Sequence, residues 1–357
     1  MNITFLIGSL RGGGAERVVC NLANHFSEKY HEVTILTMED SKSFYLLDEK
    51  VEHKPLLKKL ERRNKIYNLL IRAYRIKKYI KTHNGEKNVF VVFLPITTII
   101  LLILKGKSNS HFIVSERGNP ASYPTIQKLL LKSLAPKATT YVFQTNEIRN
   151  WYGDSVCDNN AFIIPNAINN EFMREEYKGT KDKIIIAIGR LSKSKNFPLL
   201  LEAFMDVSKQ FPEYRLFIYG DGPDKETLEN QIKMLNLYGK VVLAGQNRNI
   251  SNKLEKATLF VLSSNNEGMP NALIEAMALG VPCIATDCAG GGARELIKNM
   301  ENGILVDRGN KDQLANSITL LLKDKELRDK LGKNARRISE ILSPNKIYSM
   351  WDNIITR

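Results

Sequence analysis

The sequence has few of the residues that build metal sites and disulfide frameworks. Its 357 residues include four cysteines and five histidines. They form no Cys-x-x-Cys, His-x-His or His-Glu-x-x-His pattern, and no Asp-x-Asp pair occurs. These absences predict neither a zinc site nor a disulfide framework, and they leave no obvious carboxylate pair for Mg²⁺. We therefore expect a protein that works without a metal or another cofactor.

The sequence also lacks a long apolar run and a secretion leader. Its longest apolar stretch, residues 89–104, covers about sixteen residues and is broken by Pro95, whereas roughly twenty are needed to span a bilayer. Residues 1–8 resemble a β-strand, not a basic segment followed by an apolar one. We expect no transmembrane helix and a cytoplasmic location.

Acidic residues are scarce in one part of the chain, residues 54–81. This segment contains eleven Lys and Arg residues against Glu61 alone, and it holds most of the net charge of +14. Apolar residues at helical spacing predict a basic amphipathic helix here, namely Ile66, Leu69, Leu70, Ala73, Ile76, Tyr79 and Ile80. Either its basic face is simply solvated, or it binds anionic lipid headgroups or a lipid-linked diphosphate. No motif favours nucleic acid.

Apolar strands alternate with helices along nearly the whole chain. This alternation predicts parallel sheets covered on both faces, and the chain is longer than one core normally supports. The charged residues 169–183 interrupt the alternation and are interpreted as a linker. We predict an α/β protein of two doubly wound domains over residues 1–165 and 166–343, with ligands at the carboxyl ends of the strands and in the cleft between the domains.

Residues 265–280, NNEGMPNALIEAMALG, contain two carboxylates, Glu267 and Glu275, that are separated by seven residues. A proline and a glycine near the two ends predict a helix over residues 270–279. A carboxylate can accept hydrogen bonds from sugar hydroxyls, and helix-start amides can bind phosphate oxygens, here those of Asn271, Ala272 and Leu273. The segment could therefore hold a nucleotide diphosphate and a sugar, although a plain surface helix is the commoner meaning of such a sequence.

Two other loops follow predicted strands. The glycine run at residues 12–14 would let backbone amides approach a phosphate or a sugar. It matches neither the G-x-G-x-x-G fingerprint nor the P-loop, so a tight turn explains it equally well. Arg190 and Lys195 share the loop after the strand at residues 184–188, where two cations could neutralise a diphosphate leaving group without a metal.

The order of these motifs resembles family 4 of the retaining nucleotide-sugar glycosyltransferases, and the resemblance spans essentially the whole chain. It implies the GT-B fold, two Rossmann-like domains facing a central cleft, with a C-terminal helix over residues 344–357 that joins the N-terminal domain. The matching motifs are Gly12-Gly13-Gly14-Ala15-Glu16-Arg17, Pro165-Asn166, Gly189-Arg190-Leu191 with Lys195-Asn196, Gly220-Asp221-Gly222-Pro223, and Glu267-Gly268 through Glu275-Ala276.

A narrower similarity is carried by the glycine run and by Ser115-Glu116-Arg117. These segments are similar to enzymes that extend polyprenyl-diphosphate-linked oligosaccharides, including N-acetylgalactosaminyltransferases. Some relatives have a histidine where Arg117 stands, and it contacts the donor sugar. Arg117 and Asn166 are therefore possible sugar or acceptor contacts, and the identity of the sugar stays open.

The family resemblance also implies a role for each remaining motif residue. The C-terminal domain would bind the donor, with Glu275 on the ribose hydroxyls, Arg190 and Lys195 on the diphosphate, and Glu267 on hydroxyls of the transferred sugar. Further donor contacts are implied at the glycine loops and at the helix start, namely Gly13, Gly14, Gly222, Gly268, Met269, Pro270, Asn271, Ala272 and Leu273.

These expectations describe a metal-independent, retaining glycosyltransferase that moves a sugar from a UDP-sugar to a lipid-linked oligosaccharide at the cytoplasmic face of the membrane. Residues 54–81 would make its peripheral membrane contact. A nucleotide-sugar epimerase or a glycosyl phosphorylase with the same fold would act on soluble substrates and would gain nothing from a basic helix. A catalytically silent scaffold that binds nucleotide-sugar is the third possibility.

Overall fold

The computed structural model describes residues 1–29, 31–247 and 249–356, so Arg357 of the predicted closing helix lies outside the described residues. The chain divides into two compact units, which are Met1–Asn166 with Ile347–Arg357, and Ala167–Lys346. Each unit contains one parallel sheet. The predicted α/β fold of two Rossmann-like domains is confirmed.

The first sheet has seven parallel strands in the order β3-β2-β1-β4-β5-β6-β7. Most of its strands are short apolar runs buried on both faces, which is typical of parallel sheets covered by helices. The strands are β1 Asn2–Ile7, β2 Glu32–Thr37, β3 Glu52–Pro55, β4 Asn88–Phe93, β5 His111–Ser115, β6 Thr140–Phe143 and β7 Ala161–Ile163.

In the described part of the first unit, five helices connect these strands. They are α1 Gly14–Glu28, α2 Lys65–Thr82, α3 Pro95–Leu104, α4 Thr125–Leu134 and α5 Asn146–Tyr152.

The second sheet has six parallel strands in the order β10-β9-β8-β11-β12-β13. They are β8 Asp182–Ile188, β9 Arg215–Tyr219, β10 Val241–Gly245, β11 Ala257–Leu262, β12 Cys283–Asp287 and β13 Ile304–Asp307. The helices that follow in the chain are α6 Phe197–Gln210, α7 Lys225–Met234, α8 Ile250–Leu254, α9 Asn271–Ala278, α10 Gly292–Leu296, α11 Lys311–Lys323, α12 Lys325–Ala335, α13 Ile338–Ile341 and α14 Pro344–Ile355.

Helix α14 contacts α1 through side chains that lie in the first unit. The ring of Tyr348 lies 4.6 Å from the ring of His25. The Asp352 carboxylate lies 3.0 Å from His25 Nε2 and accepts a 2.5 Å hydrogen bond from Lys29 Nζ. These contacts of Tyr348 and Asp352 attach α14 to α1, and Trp351 of the same helix is buried.

The strand order of each sheet reverses beside its first strand. In the first unit β1 lies between β2 and β4, and in the second unit β8 lies between β9 and β11. At such a switch point the two neighbouring connections leave for opposite faces of the sheet, and the loops at the carboxyl ends of the strands can hold a ligand. The loop after β1 contains the glycine run, and the loop after β8 contains Arg190 and Lys195.

Two predicted segments differ in the structure. The basic helix predicted within residues 54–81 begins only at Lys65, because the Asn64 side chain caps it by accepting a 2.8 Å hydrogen bond from the Tyr67 N–H. Before that point the chain completes β3 and forms a single 3₁₀ turn at Lys59–Glu61. The predicted linker at residues 169–183 contains a 3₁₀ turn, Asn170–Phe172, and already includes the start of β8.

None of the helices within the described ranges combines the length and the apolar character needed to cross a bilayer.

Candidate functional site

The loops after β8 and β11 lie side by side in the second unit because these two strands are neighbours in the sheet. The Lys195 ammonium pairs with Glu267 Oε1. Both side chains are largely shielded from solvent, at 19% and 13% exposure. The structure therefore brings together the residue predicted to bind phosphate and the residue predicted to bind the sugar.

Hydrogen bonds from neighbouring side chains and backbone hold the Lys195–Glu267 pair in place. Ser264 Oγ donates a 2.7 Å hydrogen bond to Glu267 Oε1, and Ser263 Oγ donates a 3.0 Å bond to the Lys195 carbonyl. The Asn265 N–H donates to the Ser194 carbonyl at 2.8 Å. These contacts fix both loops before any ligand binds, and such preorganisation lets charged groups stabilise a transition state without reorganising.

Arg190 lies in the same loop as Lys195 but is exposed to solvent. Within the described parts of the chain no side chain pairs with its guanidinium. The next residue, Leu191, is buried, and its N–H donates a 3.0 Å hydrogen bond to the Asp221 carbonyl. The backbone beside Arg190 is thus fixed while its side chain is available to an anionic ligand.

Gly220 and Gly222 form a turn that packs directly on this loop. A Cβ at Gly220, where φ is +142°, would lie 1.9 Å from the Gly189 carbonyl oxygen, and a Cβ at Gly222 would lie 2.3 Å from the Leu191 carbonyl oxygen. Only glycine fits such close backbone approaches. The structure thus places the predicted donor contact Gly222 against the Arg190–Lys195 loop.

The predicted helix after Glu267 is α9, which begins one residue later than expected, with Pro270 as its N-cap. Met269 is buried, and Glu275 is buried one turn into the helix. The Leu273 N–H donates to the Pro270 carbonyl at 3.1 Å. Since the first N–H groups of a helix have no intrahelical acceptor, the amide of Ala272 is better placed for phosphate than that of Leu273, which already donates to Pro270.

Sequence reasoning missed the support beneath this segment. The Glu267 N–H donates to the Ala289 carbonyl at 2.9 Å. A Cβ at Gly292 would lie 1.9 Å from the Gly268 carbonyl oxygen. The turn before α10 thus holds the chain from Glu267 to Pro270. The glycine run at residues 290–292 was the signal that could have revealed it.

In the first unit the predicted glycine loop covers the end of β1. Helix α1 begins at Gly14 with Gly13 as its N-cap. The Tyr45 hydroxyl donates a 3.2 Å hydrogen bond to the Gly13 carbonyl. A Cβ at Gly12, where φ is +106°, would lie 3.0 Å from the Phe44 ring. The loop after β2 therefore packs against the glycine run.

Arg117 lies at the end of β5 and is tied to several partners. Its Nε donates to Ser115 Oγ and its Nη1 donates to Asn166 Oδ1, both at 2.8 Å. The guanidinium carbon lies 5.5 Å from the centre of the Phe93 ring and 5.6 Å from that of Trp351. Burial lowers the pKa of Arg117 to about 9, which still leaves the guanidinium cationic at neutral pH.

Gln144, which follows β6, joins the same network and was not predicted. Its Nε2 donates a 2.8 Å hydrogen bond to Asn166 Oδ1, the oxygen that also accepts from Arg117. Gln144 Oε1 and Arg117 Nη2 are buried and have no hydrogen-bond partner within residues 1–29, 31–247 and 249–356. Buried polar atoms rarely stay unpaired, so these two are candidates for water or a ligand hydroxyl.

Glu116 organises the backbone that carries Arg117. Its Oε1 accepts hydrogen bonds from the Arg117 N–H at 3.1 Å and the Tyr123 hydroxyl at 2.8 Å, and its Oε2 accepts from the Tyr152 hydroxyl at 2.9 Å. Burial raises the pKa of Glu116, and these hydrogen bonds only partly offset that effect.

The Glu116 environment predicts a pH dependence of stability. Because the pKa of Glu116 is higher in the folded chain than in the unfolded chain, its contribution to the free energy of unfolding is complete below about pH 4 and is lost as pH rises through the folded pKa. The difference in unfolding free energy between wild type and Glu116→Gln, measured by urea denaturation, should therefore fall as pH rises above 4. A difference that grows with pH would contradict this assignment.

Glu116→Ala should lower the free energy of unfolding by about 3 kcal/mol at neutral pH, since it leaves several buried donors unpaired.

Comparison with known proteins decides the family. Residues 12–172 match the model of Glycosyltransferase Family 4, and residues 169–338 match that of Glycosyl transferases group 1. The GalNAc-alpha-(1->4)-GalNAc-alpha-(1->3)-diNAcBac-PP-undecaprenol alpha-1,4-N-acetyl-D-galactosaminyltransferase of Campylobacter jejuni is 30% identical over 361 residues, which cover 99% of this chain and 98% of the relative. The chain belongs to glycosyltransferase family 4.

The glycosyltransferase has a second full-length relative in Campylobacter jejuni. This relative is the N-acetylgalactosamine-N,N'-diacetylbacillosaminyl-diphospho-undecaprenol 4-alpha-N-acetylgalactosaminyltransferase, 30% identical over 358 residues, which cover 96% of this chain and 95% of the relative. Both relatives are named for undecaprenol-linked substrates. The predicted family and enzyme class are confirmed.

Solved structures show the fold of the glycosyltransferase. HepE of Anabaena, crystallised with UDP, superposes with a TM-score of 0.85 at 18% identity, covering 100% of both chains. A TarM variant of S. aureus, crystallised with UDP and two further ligands, gives 0.84 at 16% identity, again covering 100% of both chains. The glycosyltransferase therefore has the predicted GT-B fold.

Proposed function

We propose that this glycosyltransferase moves a sugar from a UDP-sugar to a lipid-linked oligosaccharide in surface polysaccharide or glycan assembly, with retention of configuration and without a metal. Relatives named for undecaprenol-linked substrates support the acceptor, and neighbours crystallised with UDP support the donor. The observation that carries the proposal is the shielded Lys195–Glu267 pair at the strand switch point of the second unit.

The second unit would bind the donor, and its cations would stabilise the departing UDP. Lys195 would move its ammonium from Glu267 to a diphosphate oxygen, while Arg190 would contact the same group from the more exposed part of the loop. The amides at the start of α9 would add hydrogen bonds and the positive end of the helix dipole. Together these groups would balance the negative charge that grows on the leaving diphosphate.

Glu267 would then exchange its partner Lys195 for a sugar hydroxyl while its carboxylate stays in place. Once Lys195 turns to the diphosphate, a Glu267 oxygen can accept a hydrogen bond from a hydroxyl of the transferred sugar, while Ser264 continues to hold the carboxylate. The cost of separating the pair would be offset by two new charge-assisted hydrogen bonds. Glu275, one turn into α9, would hold the ribose.

These two carboxylates should respond differently to amide substitution. Glu275→Gln should weaken UDP binding by about tenfold or more, because it replaces a charge-assisted hydrogen bond to the ribose with a neutral one. Glu267→Gln should keep UDP affinity, since it releases Lys195 for the diphosphate, and should instead lower kcat. Calorimetric titration with UDP and steady-state kinetics separate these outcomes. If Glu267→Gln lost UDP affinity while Glu275→Gln kept it, the two roles would be reversed.

The first unit would serve the acceptor. Its glycine loop would lie against the donor phosphate and the acceptor, and Arg117 with Asn166 would contact the sugar or the acceptor. The basic residues between 54 and 81 would keep the enzyme on the cytoplasmic face of the membrane as a peripheral protein. The segment holds eleven cations against Glu61 alone, and each cation that lies near an anionic surface would contribute about 1 kcal/mol of attraction at low salt.

A panel of UDP-sugars tests the activity directly. Purified enzyme incubated with each donor should release UDP from at least one of them in the presence of acceptor, and the rate should be unchanged by excess EDTA. A rate that EDTA abolishes and Mg²⁺ restores would overturn the metal-free mechanism. Isomerisation of the nucleotide-sugar would indicate an epimerase, and phosphate-dependent cleavage of a glycan would indicate a phosphorylase. Tight donor binding with no turnover of any kind would indicate a scaffold.

A further inference from the structure

Three neighbouring helices of the first unit, α2, α3 and α4, cover one face of the first sheet. Their inner sides are buried in a single core with the strands, through Ile76 and Ile80 of α2, Leu101 and Leu102 of α3, and Leu131 of α4. Their outer sides therefore form one continuous layer that faces away from the sheet. We refer to this outer layer as the α2–α4 face.

The α2–α4 face exposes an unusual set of large apolar side chains. Ile66, Leu70 and Tyr74 stand four residues apart and so share one side of α2, and Ile66 is 73% exposed. On α4, Ile126 is 72% exposed, and its neighbours at helical spacing are also in solvent. The complete set is Leu60 in the turn before α2, Ile66, Leu69, Leu70 and Tyr74 on α2, Ile96 and Ile103 on α3, and Ile126, Leu129 and Leu130 on α4.

The starts of the three helices lie near one edge of the sheet. Each helix follows a parallel strand, so its first turn lies near the carboxyl end of that strand. Ile66, Ile96 and Ile126 all stand in these first turns. The same edge carries the glycine loop and Arg117, which we place on the acceptor side of the reaction. A surface that contacted these first turns would therefore lie next to the carboxyl ends of the strands, where the glycine loop and Arg117 stand.

The charge of the face selects the kind of partner. The segment before and along α2 carries eleven cations, of which six lie on α2 itself. Its single acidic residue, Glu61, is neutralised by two 2.7 Å hydrogen bonds from Arg75. Lys128 and Lys132 stand among the exposed apolar residues of α4. Apolar side chains interspersed with cations suit the interfacial region of an anionic bilayer, where the apolar groups enter the acyl boundary and the cations meet phosphate.

We propose that the α2–α4 face inserts its apolar side chains into an anionic lipid bilayer, with α4 and the start of α3 as anchors beside the basic α2. This inference rests on the proposed lipid-linked acceptor and extends the membrane contact beyond residues 54–81. Electrostatic attraction by α2 alone would hold the enzyme above the headgroups. Insertion of α3 and α4 fixes both its depth and its orientation, with the carboxyl edge of the first sheet turned to the lipid.

The test compares vesicle binding of the full-length protein with that of two matched double variants. Ile126→Ser with Leu129→Ser removes the α4 anchor, and Met234→Ser with Tyr238→Ser removes two large residues of the second unit that are even more exposed. Vesicles contain phosphatidylcholine alone or with about 30% phosphatidylglycerol. We expect wild type and the control variant to float with the anionic vesicles, and the α4 variant to bind them at least about tenfold more weakly.

A second readout reports insertion itself. Tryptophan in Ile126→Trp should be quenched by lipids brominated on the acyl chain, and part of the binding should survive about 0.5 M salt, where surface attraction is screened. Equal binding of wild type and the α4 variant, or complete release by salt without quenching, would show attachment by charge alone and overturn insertion. Self-association of wild type that the α4 variant abolishes, without vesicle binding, would assign the face to a second copy of the chain.

Sugar transfer to a water-soluble acceptor separates this inference from the proposed function. The α4 variant should transfer as fast as wild type in the absence of lipid, because its substitutions lie on the outer face of the helix. Transfer by a wild-type enzyme that ignores vesicles would overturn the insertion alone. Vesicle insertion by an enzyme that releases UDP from no donor would overturn the proposed function alone.

Discussion

Lys195→Ala is expected to lower kcat/KM for sugar transfer by about two orders of magnitude or more. The Lys195 ammonium is shielded, paired with Glu267, and held on a loop whose backbone is hydrogen-bonded to its neighbours. A cation fixed in this way loses little on reorganisation when it meets the diphosphate, so its removal should affect the transition state more than the ground state. Most of the loss should appear in kcat.

The same loop supplies the control for this prediction. Lys193→Ala removes an exposed cation two residues away and should change kcat/KM by no more than about twofold, since an exposed charge is screened by salt. Arg190→Ala should be intermediate, because Arg190 is exposed to solvent and its charge is screened more than that of the shielded Lys195. Thermal unfolding of each variant checks that the fold is retained. Wild-type kcat/KM in both Lys195→Ala and Arg190→Ala would remove the phosphate-binding assignment altogether.

Gly292→Ala is expected to lower the free energy of unfolding by about 2–3 kcal/mol and to weaken UDP binding at the same time. The added Cβ would lie 1.9 Å from the Gly268 carbonyl oxygen and 2.8 Å from Pro270 Cδ. Backbone cannot yield as a flexible side chain can, so the chain from Glu267 to Pro270 must shift. That shift would move Glu267 away from Lys195 and tilt the start of α9.

Gly309→Ala is the matched control for Gly292→Ala. Gly309 has a φ of +79° but open space around its Cβ position, so the substitution carries only the strain of a left-handed backbone, about 1 kcal/mol. Urea denaturation and UDP titration are measured on both variants. If Gly292→Ala were as stable as Gly309→Ala and bound UDP like wild type, the support that α10 gives to the donor segment would have no functional weight.

A strand could be predicted from the sequence where its burial on both faces requires a continuous run of apolar residues. β11, ATLFVL, is buried at every position, and its pattern in the sequence is unambiguous. β3, EHKP, was missed because it is a four-residue strand at the edge of the sheet and alternates between exposed and half-buried positions. It pairs in parallel with β2, and no local pattern in the sequence reveals that pairing.

The helical spacing of apolar residues predicted the helix at residues 65–82, but it did not predict which of these residues are buried. Helical periodicity indicates which residues share a side, not whether that side is covered. Ile76 and Ile80 pack on the sheet, whereas Ile66 and Leu70 of the same apolar pattern stand in solvent. The two sets are separated by the packing of one side of α2 on the sheet, which the sequence does not show.

The residues of the candidate site could be predicted from the sequence, but the contacts between them could not. Lys195 and Glu267 could each be placed after a strand, yet their pairing depends on β8 and β11 being neighbours, which is a property of the sheet order. Gln144 escaped notice because a lone polar residue after an apolar strand is common. Its hydrogen bond to Asn166 exists only because β6 and β7 are paired.

The central claim is the transfer of a sugar from a UDP-sugar to a lipid-linked oligosaccharide through the Lys195–Glu267 site. The most direct measurement incubates the purified enzyme with isotopically labelled UDP-sugars and a polyprenyl-diphosphate-linked oligosaccharide, and follows label in the extracted lipid. We predict label in the lipid fraction from at least one donor, an α-linked product by NMR from an α-linked donor, and loss of the signal in Lys195→Ala but not in Lys193→Ala. Absence of lipid-linked label from every UDP-sugar, or equal labelling by Lys195→Ala and wild type, would contradict it.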